Sequence, residues 1–230
     1  MKNLAYTITD NGFQFKTLLH KQYTNRFHWS NSETKGQVHC GEILPGVKFS
    51  VLEFLAHDGL ALNFHSKNTD GFLFIINQLS SPGYVQLMTE SNLMVDYSPR
   101  NVEIYAIPAD KIFSFTYAPA TSGKRIEFFV NNDILKSTLS TSLIQVLKRK
   151  PFLPFSELLN DTLYNELCRQ FDSLFDHHIV AVHSNIIFSL LSILKNFNDF
   201  ADNTSLLNPL FPYKSAITAG SYNSTYKKIA

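Results

Sequence analysis

The sequence predicts an α+β chain in which an antiparallel β-barrel or sandwich is followed by a C-terminal helical pair. Three observations carry that prediction. Up to Val130 the apolar residues alternate in short runs, the period of a half-buried strand. From about Ser156 to Phe200 they recur every three or four residues, the period of an amphipathic helix. No helical segment separates the strand-like runs, and a parallel crossover needs about a dozen residues or more each time, which argues against a βαβ sheet.

Residues 1–40 are mixed, with Phe13-Gln14-Phe15 and Phe27-His28-Trp29 as aromatic islands and the polar run Ser30 to Gly36 read as a loop. Leu44-Pro45-Gly46 is a turn, after which Val47, Phe49 and Val51 alternate with Lys48 and Ser50. Asp58-Gly59 is the next turn, and Leu60, Leu62 and Phe64 alternate with Ala61, Asn63 and His65. Phe72 to Ile76 is a continuous apolar run, suited to a strand covered on both faces. Further runs span Tyr84 to Met88, Leu93 to Tyr97, Val102 to Ile107, Ile112 to Tyr117 and Lys124 to Val130. About eight short strands, roughly 8–12 residues apart and closed by turn residues, are the pattern of a sandwich or barrel.

The character changes near residue 131. Asn131, Asn132 and Asp133 offer capping oxygens for a short helix over about 133–139, and Lys148 to Pro154 is a basic, proline-punctuated connector. Leu159, Leu163, Leu167, Phe171 and Leu174 then form one apolar stripe, and Asp176 can cap a second helix. In that helix Ile179, Val182, Ile186, Leu190, Ile193 and Phe197 step by three or four, while Val180, Ile187, Leu191 and Leu194 widen the stripe. A stripe so broad must be covered on two sides, by the partner helix and by a second subunit or the outside of the barrel. The expectation is a homodimer. After Asp202 the chain has no acidic residue, three lysines and many Ser, Thr and Asn, and is expected to be a poorly ordered polar tail. The division is therefore 1–130 for the sensor-like β domain, 131–202 for a helical linker and dimerisation region, and 203–230 for the tail.

Twenty Lys and Arg against nineteen Asp and Glu leave a net charge of +1, so no global basic field favours nucleic acid. Cys40 and Cys168 lie far apart and form no Cys-x-x-Cys motif, which fits a reducing cytoplasm. No window approaches the roughly 18 apolar residues of a membrane span. His177 and His178 diverge as neighbours and His178 to His183 is i, i+5, so no pair of metal ligands shares a helix face. Cys40 beside His39 is a sequence neighbour only, because strand alternation sends the two side chains to opposite faces. Neither a Gly-x-Ser-x-Gly elbow nor a glycine-rich phosphate loop is present. Catalytic residues, metal and cofactor are accordingly not expected. An aromatic interior remains, from which Trp29, Phe64, Phe74, Tyr105, Phe115 and Tyr117 are candidate pocket residues, with ordinary core packing as the other reading of each.

The run from Glu42 through Pro45-Gly46-Val47 to Ser50 is similar to the opening of the sensor domains of AraC-type transcription regulators. Ile107-Pro108-Ala109-Asp110 is similar to the Ile-Pro-Ala-Gly stretch of a second cupin motif. With the strand-then-helix order, these runs make about the first 200 residues resemble the N-terminal sensor and dimerisation region of that family. The resemblance implies a cupin-like barrel for a small-molecule effector, and dimerisation through the helices. It also implies DNA binding only where a helix-turn-helix region is supplied beyond this chain. The departures are specific. His65 is followed by Ser66, Lys67, Asn68, Thr69 and Asp70, and Pro108 by Lys111, Ile112 and Phe113 three to five residues on, where cupin enzymes carry metal ligands. The expected function is thus a ligand-sensing and dimerisation module. The alternatives are a small cupin-fold metalloenzyme, an isomerase or oxygenase using His39, His57 and His65, and a partner that pairs with a longer regulator.

Overall fold

The computed structural model describes residues 2–10, 12–16, 26–30, 34–65, 70–79, 85–89, 94–97 and 102–149, together with Asn165 and Arg169. Twelve strands precede two helices among these residues. The strands are β1 (Lys2–Thr9), β2 (Gly12–Lys16), β3 (Arg26–Ser30), β4 (Thr34–Leu44), β5 (Val47–Ala56) and β6 (Leu60–Phe64), then β7 (Gly71–Leu79), β8 (Val85–Thr89), β9 (Met94–Tyr97), β10 (Val102–Pro108), β11 (Phe113–Tyr117) and β12 (Thr121–Asn131). The helices are α1 (Asn132–Thr138) and α2 (Thr141–Arg149). One six-stranded sheet runs β2-β1-β6-β11-β8-β9 and the other runs β10-β7-β12-β5-β4-β3.

Alternation along the strands gives each sheet a face toward the other. Leu52, Phe54 and Ala56 of β5 meet Leu60, Leu62 and Phe64 of β6 and Phe113 and Phe115 of β11 in one apolar core. The buried Lys48 ties the sheets together at one end, its Nζ donating to the carbonyls of Thr9 at 2.6 Å and Asp10 at 2.9 Å. The opposite face of the second sheet is apolar too. Phe49, Phe74 and Ala106 align with Phe128 and are all buried, and α1 packs against β7 and β12 while α2 packs against β10. This explains the unbroken run Phe72 to Ile76, whose five residues are buried on both sides. The turns after β4 and β5 use Gly46 at φ 86° and Gly59 at φ 98°, backbone that side chains with a Cβ rarely adopt.

Three features depart from the sequence reading and one agrees with it. The strand β1 pairs parallel with β6, whereas the other pairings among the described residues are antiparallel. The chain from β1 to β6 runs through β2 to β5, which supplies the long connection a parallel pair requires. The run Ser30 to Gly36 is not all loop. Ser30 closes β3 and Thr34 to Gly36 open β4, paired as Ser30 with Lys35 and Trp29 with Gly36, because backbone ladder bonds hold an edge pair without an apolar pattern. The short helix is present, with the Asn131 Oδ1 accepting from the Ile134 amide at 3.0 Å. A second helix, α2, follows it where no helix was expected, held by buried Ile144 and Leu147 one turn apart.

Asn165 and Arg169 are helical and exposed, four residues apart and off the stripe of Leu163, Leu167 and Phe171. The remainder of the helical pair, the dimer stripe Ile179 to Phe197 and the tail 203–230 lie outside the described residues. No helix among the described residues is long and apolar enough to cross a membrane.

Candidate functional site

Between the two sheets the apolar core encloses a network of five polar side chains, Tyr6, Asn77, Tyr117, Arg125 and Glu127. Arg125 and Glu127 stand two residues apart on β12 and therefore share its inward face, where Arg125 aligns with Asn77 of β7 and Glu127 with Ser50 of β5. Tyr6 reaches them from β1 and Tyr117 from β11. All five are at most 2% exposed, so every charge and hydroxyl here must find its partner inside the protein.

The hydrogen bonds run in one order. Arg125 Nη2 donates to the Tyr6 hydroxyl at 2.7 Å, and that hydroxyl donates to Glu127 Oε1 at 2.6 Å. Arg125 Nη1 donates to the Tyr117 hydroxyl at 3.1 Å, which donates to Asn77 Oδ1 at 2.8 Å. Arg125 Nε meets Glu127 Oε1 at 2.8 Å, and Nη2 also donates to that oxygen. The guanidinium lies 4.2 Å from the centroid of Phe115, close enough for a desolvated cation–π contact. Asn77 Nδ2 has no hydrogen-bond partner among the described residues.

Burial is the largest influence on Tyr6, Tyr117, Arg125 and Cys40. It pushes the Tyr6 phenol well above its ordinary value and raises Tyr117, with the nearby Arg125 opposing both shifts. Both phenols therefore keep the protons their hydrogen bonds use. Burial alone would lower Arg125, but Glu127 and the two tyrosines reverse the sign, and the guanidinium is held charged. Cys40, opposite Ser50 on β4, is pushed up to about 12 by burial, opposed by Ser50 and reinforced by the Glu127 charge. Such a thiol is inert.

A prediction follows for alkaline pH. The unfolded chain ionises Cys40 near the ordinary thiol value and the folded chain only near 12, so the unfolded state binds fewer protons in between. Stability is therefore expected to fall as pH rises through that window. In a Cys168→Ser background the native thiol is expected to react with an aromatic disulfide only as fast as the protein opens. Immediate labelling of the native protein at about pH 8 would contradict the burial argument.

The structure brings together four of the six candidate pocket residues. Phe64, Tyr105, Phe115 and Tyr117 are core residues between the sheets. Phe64 packs on Phe113 with centroids 4.9 Å apart, and Tyr105 meets Phe115 edge-on at 5.2 Å. Phe74 is not with them. It aligns with Phe128 on the far face of the second sheet, because it differs by one in strand phase from Leu73 and Ile75. Trp29 sits on β3 opposite Gly36, and its side chain lies outside what is described. Sequence reading missed Tyr6, Asn77, Arg125 and Glu127. The signal available was a pair of charges at i, i+2 leading into the apolar residues Ile126, Phe128, Phe129 and Val130.

The three histidines of the metalloenzyme alternative do not converge. His39 packs beside Phe49 at 5.6 Å on the far face of the second sheet. His57 precedes β6 and His65 follows it, both exposed and separated by a strand of roughly 15 Å. Among the described residues no three His, Cys, Asp or Glu side chains are grouped to hold a metal ion.

No protein-family model matches the chain, and no curated protein matches it at a significant level. Solved structures do. The AraC-like transcriptional activator CuxR is 9% identical, over 73% of this chain and 54% of that one, with a TM-score of 0.44. KdgF from Halomonas sp. is 12% identical over 46% of this chain and 89% of that one, at 0.30. An RmlC-like cupin from Desulfovibrio desulfuricans is 16% identical over 50% of this chain and 94% of that one, at 0.28. The chain spans about half the length of the AraC-like activator it matches. Likeness at these levels carries no site residue or activity across.

Proposed function

We propose that the chain is the ligand-sensing and dimerisation module of an AraC-type transcriptional regulator, acting in the cytoplasm, with a cupin-type β-sandwich as the sensor. The observation that carries this reading is the Arg125–Glu127 network. A scaffold that only held itself together would gain little from it, since apolar replacement of a buried ion pair is often neutral or stabilising by about 1–4 kcal/mol. A small effector rich in acceptor oxygens has a donor waiting in the Asn77 amide, beside the Arg125 guanidinium.

Such an effector would exchange contacts that now join the sheets. Tyr6 on β1 is bonded to both charges on β12, and β12 runs directly into α1 through the Asn131 cap. A shift of β12 on binding therefore reaches the helices along one continuous element. DNA contact is assigned to helix-turn-helix units, which the described residues do not contain.

Dimerisation rests on the stripe of Ile179, Val182, Ile186, Leu190, Ile193 and Phe197. Light scattering on the full chain is expected to give twice the monomer mass of 26.2 kDa. Ile186→Asp with Leu190→Asp is expected to give folded monomer, because two carboxylates cannot be buried unpaired in an apolar seam. A monomeric wild type would remove the dimerisation half of the proposal.

A further inference from the structure

A cleft of about 330 Å³ opens where the sandwich meets α2, away from the interior network. Its floor is Phe72 and Pro108, which pair across β7 and β10. Around it stand Asp70 before β7, Asp110 and Lys111 in the turn after β10, and Lys148 in the last turn of α2. The walls are fixed by short-range bonds. The Ala109 amide donates to the Gly71 carbonyl at 2.9 Å and the Lys111 amide to the Pro108 carbonyl at 3.1 Å, while Asn132 Nδ2 donates to Asp70 Oδ1. Asp110 and Lys111 are only loosely paired, at 3.7 Å.

We infer that this cleft binds a small zwitterion of the amino-acid class, its ammonium against Asp70 and Asp110 and its carboxylate against Lys111 and Lys148. Two negative and two positive side chains among the described residues leave the cleft neutral while offering both signs of charge. A phosphate or other polyanion would meet both carboxylates, a polyamine would meet both lysines, and an apolar molecule would desolvate all four charges. The volume lies at the small end of ligand sites, fitting an amino acid or dipeptide and excluding a nucleotide cofactor.

The placement gives the site a consequence. Asp70, Asp110 and Lys111 belong to the sandwich and Lys148 belongs to α2, so a bound zwitterion bridges the two. Occupancy would hold α2 against β10 and bias the chain that follows. This second input goes beyond the interior effector site and does not depend on it.

The test is isothermal titration of the full chain with the twenty free L-amino acids and glycylglycine at low ionic strength, where partly exposed charges are least screened. At least one is expected to bind with 1:1 stoichiometry. Asp110→Asn and Lys148→Gln, both at solvent-facing positions, are each expected to weaken it about tenfold while leaving the urea midpoint unchanged. The N-acetyl and amide derivatives of the same amino acid are expected to lose binding similarly. No binding by any of the panel up to about 10 mM would overturn the proposal. So would binding that ignores both substitutions. Binding lost in Asn77→Ala but kept in Lys148→Gln would place the ligand in the interior, overturning the cleft and leaving the sensor reading intact.

Discussion

Replacing Arg125 by alanine is expected to cost about 3–5 kcal/mol of folding stability, read from urea unfolding. The substitution leaves Glu127 charged and buried, with only the Tyr6 hydroxyl as partner, and strips Tyr117 of its donor. Most of the loss therefore comes from the stranded carboxylate. The double replacement Arg125→Met with Glu127→Leu removes both charges and keeps the volume, and is expected to recover most of that loss. Recovery would separate the network's cost to the fold from its use, because only a functional role would then explain why the charges are present. A double variant as unstable as Arg125→Ala would mean that the network is structural.

Phe115→Ala is expected to cost about 3–5 kcal/mol, the range for emptying a buried aromatic site. Phe115 is fully buried between the sheets, meeting Tyr105 on one edge and Phe113 at 5.8 Å on another, while its face carries the Arg125 guanidinium. Phe115→Leu keeps much of the volume and loses the ring quadrupole, so it isolates the cation–π part. A double-mutant cycle of Phe115→Leu with Arg125→Met is expected to give a coupling of about 1–2 kcal/mol. Additive single effects would show that the guanidinium rests on Phe115 without being held by it.

Much of the sandwich was legible because its strands announce themselves twice, by alternation and by the turns that end them. Val47 to Val51, Leu60 to Phe64 and Phe72 to Ile76 all form strands, the first two entered through Gly46 and Gly59 at positive φ. The strand β1 was illegible because Leu4-Ala5-Tyr6-Thr7 carries no turn of its own kind before it and finds its parallel partner β6 more than fifty residues later. The helix α2 hides because its apolar residues, Leu143, Ile144, Val146 and Leu147, cover little more than one turn between polar flanks.

The interior site was half legible for a reason of phase. In β12 both faces are buried, so hydrophobicity could not say whether Arg125 and Glu127 or Ile126 and Phe128 point between the sheets. The same ambiguity put Phe74 among the pocket candidates, though it lies on the face toward the helices. Tyr117 was among the candidates as one of the aromatics on short strands. Its partners were not, since a network joining β1, β7, β11 and β12 is set by long-range pairing that no local window contains.

The most direct measurement compares wild type and Asn77→Ala in a thermal-shift screen of sugars, sugar acids and small carboxylates. Asn77 donates to nothing among the described residues, yet its Oδ1 accepts from Tyr117 at 2.8 Å, so the substitution removes a ligand donor at modest cost to the fold. The sensor account predicts that at least one compound raises the wild-type melting temperature by about 2 °C or more, with a shift in Asn77→Ala less than about half as large. A screen in which no compound stabilises the wild type, or in which both proteins shift equally, would contradict it.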